Sequence, residues 1–177
     1  MKVIFVRHSE PDYSMLDQCE APWEYRGFGR DLAPLTKHGR YLAQEAAKNP
    51  LFAQAQVLVS SSVTRALETA TYIACHHNLP LLVEPFFHEW RPDLDGMNDS
   101  AEEANKAYRL FWENKGELAV DSPMRYETAE QVRIRFLKAL ENYRQYDTVV
   151  IVCHGMLIRQ FVYKETIAYC ELFEVEL

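Results

Sequence analysis

Four residues of two types, Arg7, His8, Arg65 and His154, carry the chemistry most plainly written into this chain. A guanidinium offers a planar fork that binds two oxygens of an anion at once and keeps its charge. A neutral imidazole is a nucleophile, and its ordinary pKa of about 6.5 leaves it largely unprotonated near neutrality. The combination suits phosphoryl transfer. A phosphoryl group in flight spreads negative charge over its equatorial oxygens, so its stabilisation is mainly electrostatic. In this reading His8, which adjoins Arg7, attacks phosphorus. His154 donates a hydrogen bond to the phosphoryl oxygens, and Arg7, Arg65 and His154 bind the substrate's phosphate.

A leaving alcohol needs a proton. That calls for a carboxyl kept partly protonated by burial or by the incoming phosphate's charge. Glu89, in F-F-H-E-W, follows an apolar stretch and is flanked by aromatic bulk, which makes it the chosen acid. Glu84, Glu10 and Asp93 are the alternatives. Arg26, Arg30 and Arg91 could reach a second anionic group of a substrate, but read more simply as solvated loop charges. His38, His76, His77 and His88 read as surface residues.

The elements that must position these side chains follow from the hydrophobic pattern. Short apolar runs at Val3–Val6, Val57–Val59 and Thr148–Val152 read as buried strands of a parallel sheet. The first ends in Arg7-His8. The second runs through serines into V-T-R-A, which places Arg65 in the first turn of a helix with its free N–H donors. The third ends in His154-Gly155, where glycine would allow close backbone approach and a new helix. Open α/β sheets bind ligands beyond the carboxyl ends of their strands, so three like ends converge. Runs at Leu79–Val83 and Leu172–Val175 are further strand candidates.

Between the strands lie helical patterns. One begins near Thr64, with Ala66, Ala70, Ile73 and Ala74 on one face. Another has Ala129, Val132, Phe136, Leu140 and Tyr143 on one face and a Thr128/Gln131 capping box. A third starts at about Ser100, with Ala104, Tyr108, Phe111 and Trp112 aligned. Gly39 to Lys48 reads as a helix too. The expected architecture is a three-layer α/β/α sandwich with a mostly parallel central sheet. Two stretches break the rhythm, Pro11 to Pro34 and an insertion at about 86–126, and both are candidates for a lid or substrate wall.

The totals set bounds. A chain of 177 residues suits a single domain, 1–177, and its formal net charge of -7 argues against a general nucleic-acid partner. Cys19, Cys75, Cys153 and Cys170 lack any metal or disulfide spacing, as expected of reduced thiols. The four apolar residues before Arg7 are too few for a signal-peptide core, and no segment approaches a membrane span. A cytoplasmic protein with no membrane partner is expected.

In order along the chain stand R-H-S-E-P (Arg7 to Pro11), Leu35-Thr36 with Gly39, Ser61 with Arg65-Ala66 and Thr69-Ala70, and finally His154-Gly155. This set resembles the histidine phosphatase superfamily, which includes the cofactor-dependent phosphoglycerate mutases. The family's signatures there are R-H-G-E-T, L-T-x-x-G, S-x-x-x-R-A-x-x-T-A and H-G. The resemblance implies a phosphoglycerate mutase-like fold, a phosphohistidine on His8 and a phosphate pocket of Arg7, Arg65 and His154. Glu89 becomes the proton donor, and neither a metal nor a cofactor is needed. Ser9 stands where glycine is usual, Pro11 where threonine is common and Ser14 where asparagine is frequent. Asp93 and Met97 replace glycines often found four and eight residues after the acid, with Gly96 nearby.

The function so implied is a metal-independent phosphoric monoester hydrolase of the histidine acid phosphatase type, acting on a small phosphorylated substrate. Alternative readings are a mutase-type phosphotransferase and a non-catalytic phospho-ligand or protein-binding module. The known mutases are longer, with a larger insertion to exclude water, so the short chain favours hydrolysis. Retention of both histidines and both arginines favours turnover over simple binding.

Overall fold

The computed structural model describes residues 1–14, 29–97 and 100–177. Arg26 and Cys19, with most of the irregular stretch after Pro11, lie outside the described residues. Five strands form one sheet: β1 (Lys2–Arg7), β2 (Val57–Ser61), β3 (Leu81–Glu84), β4 (Thr148–Cys153) and β5 (Leu172–Glu176), in the order β3-β2-β4-β1-β5. The pairs β1–β4, β2–β4 and β2–β3 are parallel. Strand β5 runs antiparallel to β1 at one edge, so the sheet is mostly parallel.

The apolar runs become strands because both their faces are covered. In β1, Val3 and Phe5 pack on one side with Val57, Val59, Val149 and Ile151. Ile4 and Val6 pack on the other with Leu58, Val150 and Val152. All four of these β1 side chains have 0% exposure, each worth about 1.5–3 kcal/mol of burial. The first face is covered by α4 (Ala129–Leu140) through Val132, Phe136 and Leu140. The second is covered by α2 (Thr64–His77) through Ala66, Ala70, Ile73 and Ala74. Helix α1 (Lys37–Ala47) packs beside α2. The result is the expected three layers.

Helix starts follow the predicted caps. Thr128 and Gln131 form the capping box of α4, and Ser100 caps α3 (Ala101–Glu113) through the Glu103 amide. Helix α1 begins two residues before Gly39, because the Thr36 side chain accepts the Gly39 amide at 2.8 Å. The insertion is no detached lid. Ala107 and Phe111 of α3 join Trp90, Tyr126 and Phe136 in one buried cluster, while Tyr108 and Trp112 remain partly exposed. No helix among the described residues is long and apolar enough to cross a membrane.

Candidate active site

Strands β1, β2 and β4 run parallel, so their carboxyl ends lie side by side. This register brings Arg7 opposite Cys153, and hence His8 beside His154. The two imidazole centroids are 5.1 Å apart. His8 is 5% exposed and His154 is 0% exposed. Arg65, from the first turn of α2, reaches between them. Its Nε donates to His8 Nε2 at 3.2 Å, and its Nη2 faces His154 Nδ1 at 3.4 Å. The N-cap residue Val63 supplies no side-chain cap.

His8 has a defined tautomer. Its Nδ1 lies 2.7 Å from the Ser9 carbonyl, which can only accept, so Nδ1 carries the proton. Nε2 is then the lone-pair nitrogen, aimed at Arg65. Burial, then the charges of Arg65 and Arg7, hold the imidazole pKa well below its ordinary value, against the Ser9 hydrogen bond. The free base is therefore the resting form at neutral pH.

His154 is held differently. Its Nε2 lies 2.8 Å from Ser61 Oγ while Nδ1 faces the Arg65 donor. Nε2 therefore carries the proton and shares it with Ser61. The N–H that the sequence reading assigned to a phosphoryl oxygen is engaged by Ser61 in this structure. Burial and then Arg65 push the His154 pKa well below the ordinary value.

Arg7 enters from the same strand end as His8. Its Nη1 donates to the Ile167 carbonyl, and its Nε is buried with no hydrogen-bond partner among the described residues. A buried orphan N–H in a polar cluster marks a place where an acceptor belongs. A Cβ at Gly155 would sit 3.7 Å from this Nε, in ordinary contact. Packing against the described residues therefore does not demand glycine at 155.

Glu89 joins this cluster. It retains some solvent contact, yet its carboxyl is enclosed enough that burial raises its pKa. The amides of Trp90 and Met156, with Arg65 and Arg7, oppose that rise. The alternative acids are used elsewhere. Glu10 accepts from the Thr36 hydroxyl and pairs with His38. Glu84 accepts from Phe86 N and from the Tyr143 hydroxyl. Asp93 accepts from the amides of Asp95 and Gly96 in a turn.

The ordered motifs scaffold the His8 loop. Ser9 donates from Oγ to the Gly39 carbonyl at 2.7 Å, and from its amide to Thr69 Oγ1 at 2.9 Å. Thr36 N donates to the Glu10 carbonyl at 3.0 Å. A Cβ on Gly39 would lie 2.3 Å from that same carbonyl oxygen, so only glycine lets α1 approach. Ser9, the departure from glycine, thus provides an extra tie.

Several participants escaped the sequence reading. The carbonyl of Arg30 accepts from Arg65 Nη1 at 3.1 Å, and Asp31 lies 3.7 Å from the same nitrogen. Arg30 contributes through its backbone, while its side chain stacks on Tyr13. The Arg91 side chain is exposed, although its amide donates to Glu127. His88 is half-buried, not a surface residue, and burial followed by the Arg135 charge lowers its pKa to about 4. His77 is half-buried as well, bonded to the Ala47 carbonyl.

Behind Glu89 stands a buried pair, Arg135 and Glu127, at 2.6 Å. Arg135 also donates to the carbonyls of Phe86 at 2.5 Å and Glu89 at 3.2 Å. Glu127 receives the Arg91 amide through its carboxylate, and the Trp90 indole through its carbonyl. Every residue from Glu89 to Arg91 is thereby tied to this pair. No local pattern signals its link to Glu89, because the pair and the Glu89–Arg91 segment lie about forty residues apart.

Residues 3–167 match the histidine phosphatase superfamily, branch 1. The chain belongs to that superfamily. Solved structures show the same fold. Bacillus stearothermophilus YhfR superposes with a TM-score of 0.72 at 19% identity, over 99% of this chain and 91% of that one. A mycobacterial glucosyl-3-phosphoglycerate phosphatase, in complex with VO3, gives 0.69 at 19% identity, over 99% and 90%. An α-ribazole phosphatase from Shigella flexneri gives 0.61 at 21% identity, over 89% and 76%. A search of curated protein sequences returned no match. As a histidine phosphatase family member, the chain has the mixed α/β, phosphoglycerate mutase-like architecture its motifs imply.

Proposed function

We propose that this chain is a metal-independent phosphomonoester phosphatase working through a phosphohistidine on His8. One observation supports this most directly: the lone-pair nitrogen of a neutral, tautomer-locked His8 lies 3.2 Å from the Arg65 guanidinium. Nucleophile and anion-binding group thus share one spot. The Nε and Nη2 donors of Arg65, now spent on the two histidines, form the edge of the fork that two phosphoryl oxygens would take. Binding phosphate there releases the His8 lone pair. Arg7 Nε, which has no partner among the described residues, supplies a further donor. A structurally similar mycobacterial phosphatase is complexed with VO3, an oxyanion of the class proposed to bind here.

The steps balance without further reagents. His8 Nε2 attacks phosphorus as the ester P–O bond breaks, and Glu89 gives its proton to the departing alcohol oxygen. The Glu89 carboxylate then takes a proton from water. That water attacks phosphorus, the P–N bond breaks, and phosphate leaves with His8 neutral again. Two guanidinium groups offset the developing charge, which is the task a metal ion performs in other phosphatases. The substrate is a small phosphorylated molecule.

The test is hydrolysis of an aryl phosphate with chelator present. Wild type turns over undiminished, and His8→Ala loses about a thousandfold or more in kcat. Quenching wild type with alkaline detergent after radiolabelled substrate traps a base-stable phosphoenzyme that loses its label on acid treatment. Full activity in His8→Ala, or loss of wild-type activity on chelation, overturns the mechanism.

A further inference from the structure

The segment from Ile167 to Glu171 wraps the end of β1. The Arg7 amide donates to the Glu171 carbonyl at 3.0 Å, and the Cys170 amide donates to the Arg7 carbonyl at 3.0 Å. The Arg7 side chain donates to the Ile167 carbonyl. Cys170 adopts a left-handed backbone with φ of 59°, uncommon for a residue with a Cβ. This turn lays the Tyr169 ring against Arg7, whose Cζ lies 4.5 Å from the ring centroid. The same ring is 5.9 Å from the His8 imidazole centroid. It is also 37% exposed, so it borders both the cluster and solvent. The mechanism above makes no use of it.

These contacts leave the guanidinium little freedom. Its Nη1 is held by a carbonyl, its face by an aromatic ring, and its Nε stays unpartnered on the side of Gly155. We propose that Tyr169 is a positioning residue: its π face holds Arg7 so that the free Nε–H meets a phosphoryl oxygen, and its ring walls the pocket beside His8. The inference rests on the phosphatase reading and deepens it. The ring acts through its face, so the hydroxyl is dispensable. An aliphatic side chain of similar bulk is not a substitute, because it lacks the quadrupole that attracts a cation.

The experiment compares wild type with Tyr169→Phe and Tyr169→Leu. It measures aryl phosphate kinetics, competitive inhibition by inorganic phosphate, and Tm. Tyr169→Phe stays within about twofold of wild type throughout. Tyr169→Leu raises the phosphate Ki and the KM roughly tenfold, with a smaller change in kcat and a Tm near that of Tyr169→Phe. Should Tyr169→Leu fail to fold, Tyr169→Gln serves as a second variant without a π face and shows the same rise in Ki. An unchanged Ki in the π-free variant overturns the inference, as does a loss in Tyr169→Phe equal to that in Tyr169→Leu. Wild type that neither hydrolyses the ester nor is inhibited by phosphate overturns the phosphatase reading and the inference with it. Wild type that does both, beside a π-free variant with the same Ki, overturns the inference alone.

Discussion

At His8, burial and hydrogen bonding act in the same direction on reactivity. The Ser9 carbonyl fixes the proton on Nδ1, and the enclosure with Arg65 and Arg7 disfavours a second proton on Nε2. The acid limb of kcat/KM for an aryl phosphate is therefore expected below pH 6.5, the ordinary histidine value. An acid limb at or above that value would show that His8 is not held as the free base. Glu89 makes the opposite demand in the proposed role of acid, which needs it protonated. Burial raises its pKa, and a bound phosphate dianion raises it further. Glu89→Gln should slow alkyl phosphates by about 10²–10⁴ and aryl phosphates far less, because aryl leaving groups need little protonation. Equal slowing of both ester classes would point to a different acid.

Two packing arrangements govern whether these side chains meet. The first is the approach of α1 to the loop after β1. Gly39→Ala would drive a methyl to 2.3 Å from the Glu10 carbonyl oxygen. Backbone on both sides resists, so the substitution should cost about 1–3 kcal/mol and lower Tm. It should also lower kcat, since Ser9 hangs from the same glycine's carbonyl. An unchanged Tm would mean that α1 shifts freely. The second is the Arg135–Glu127 pair beneath the Glu89 segment. Its side chains are 13% and 8% exposed, so solvent screens them little. Removing one partner of a buried pair costs about 3–5 kcal/mol. Glu127→Gln should lower stability by that order, and should impair alkyl phosphate hydrolysis more than aryl, because the acid is displaced. A loss of stability with no such selectivity would make the pair purely structural.

For the whole molecule, the site's titrating groups couple to folding with a definite sign. His8 and His154 have folded pKa values below the unfolded value near 6.5. Above that pH they are neutral in both states and contribute nothing differential. As pH falls below it, the unfolded chain takes up protons that the native chain refuses, so stability falls. Glu89 contributes oppositely, because its raised pKa lets the native state keep a proton as pH rises past 4.5. Wild-type Tm is expected to fall between pH 6.5 and 5, and His154→Asn should flatten that fall. An equally steep fall in the variant would assign the acid sensitivity to groups other than His154, His8 and His88 among them.

Much of this was legible in the linear chain, for local reasons. Strands β1, β2 and β4 are buried on both faces, and such strands need continuous apolar runs, which stand out. Caps at Thr128 and Ser100 are local hydrogen-bond patterns within four residues. Arg7-His8, Arg65 and His154-Gly155 sit at strand ends and helix starts, so recognising the elements located them. The antiparallel direction of β5 was not legible, since its residues suit either direction and only the preceding connection decides. The Ser61 contact to His154, the link from the Arg135–Glu127 pair to the Glu89 segment and the Tyr169 ring over Arg7 were equally hidden, each spanning tens of residues or more. The sequence by itself determined the family and the residue types behind the proposed chemistry at phosphorus, because local order places the two histidines and two arginines at strand ends and a helix start. Only the tertiary structure decided which nitrogen is free, which carboxyl is enclosed and what holds each arginine. Those depend on burial and on contacts that chain order does not encode.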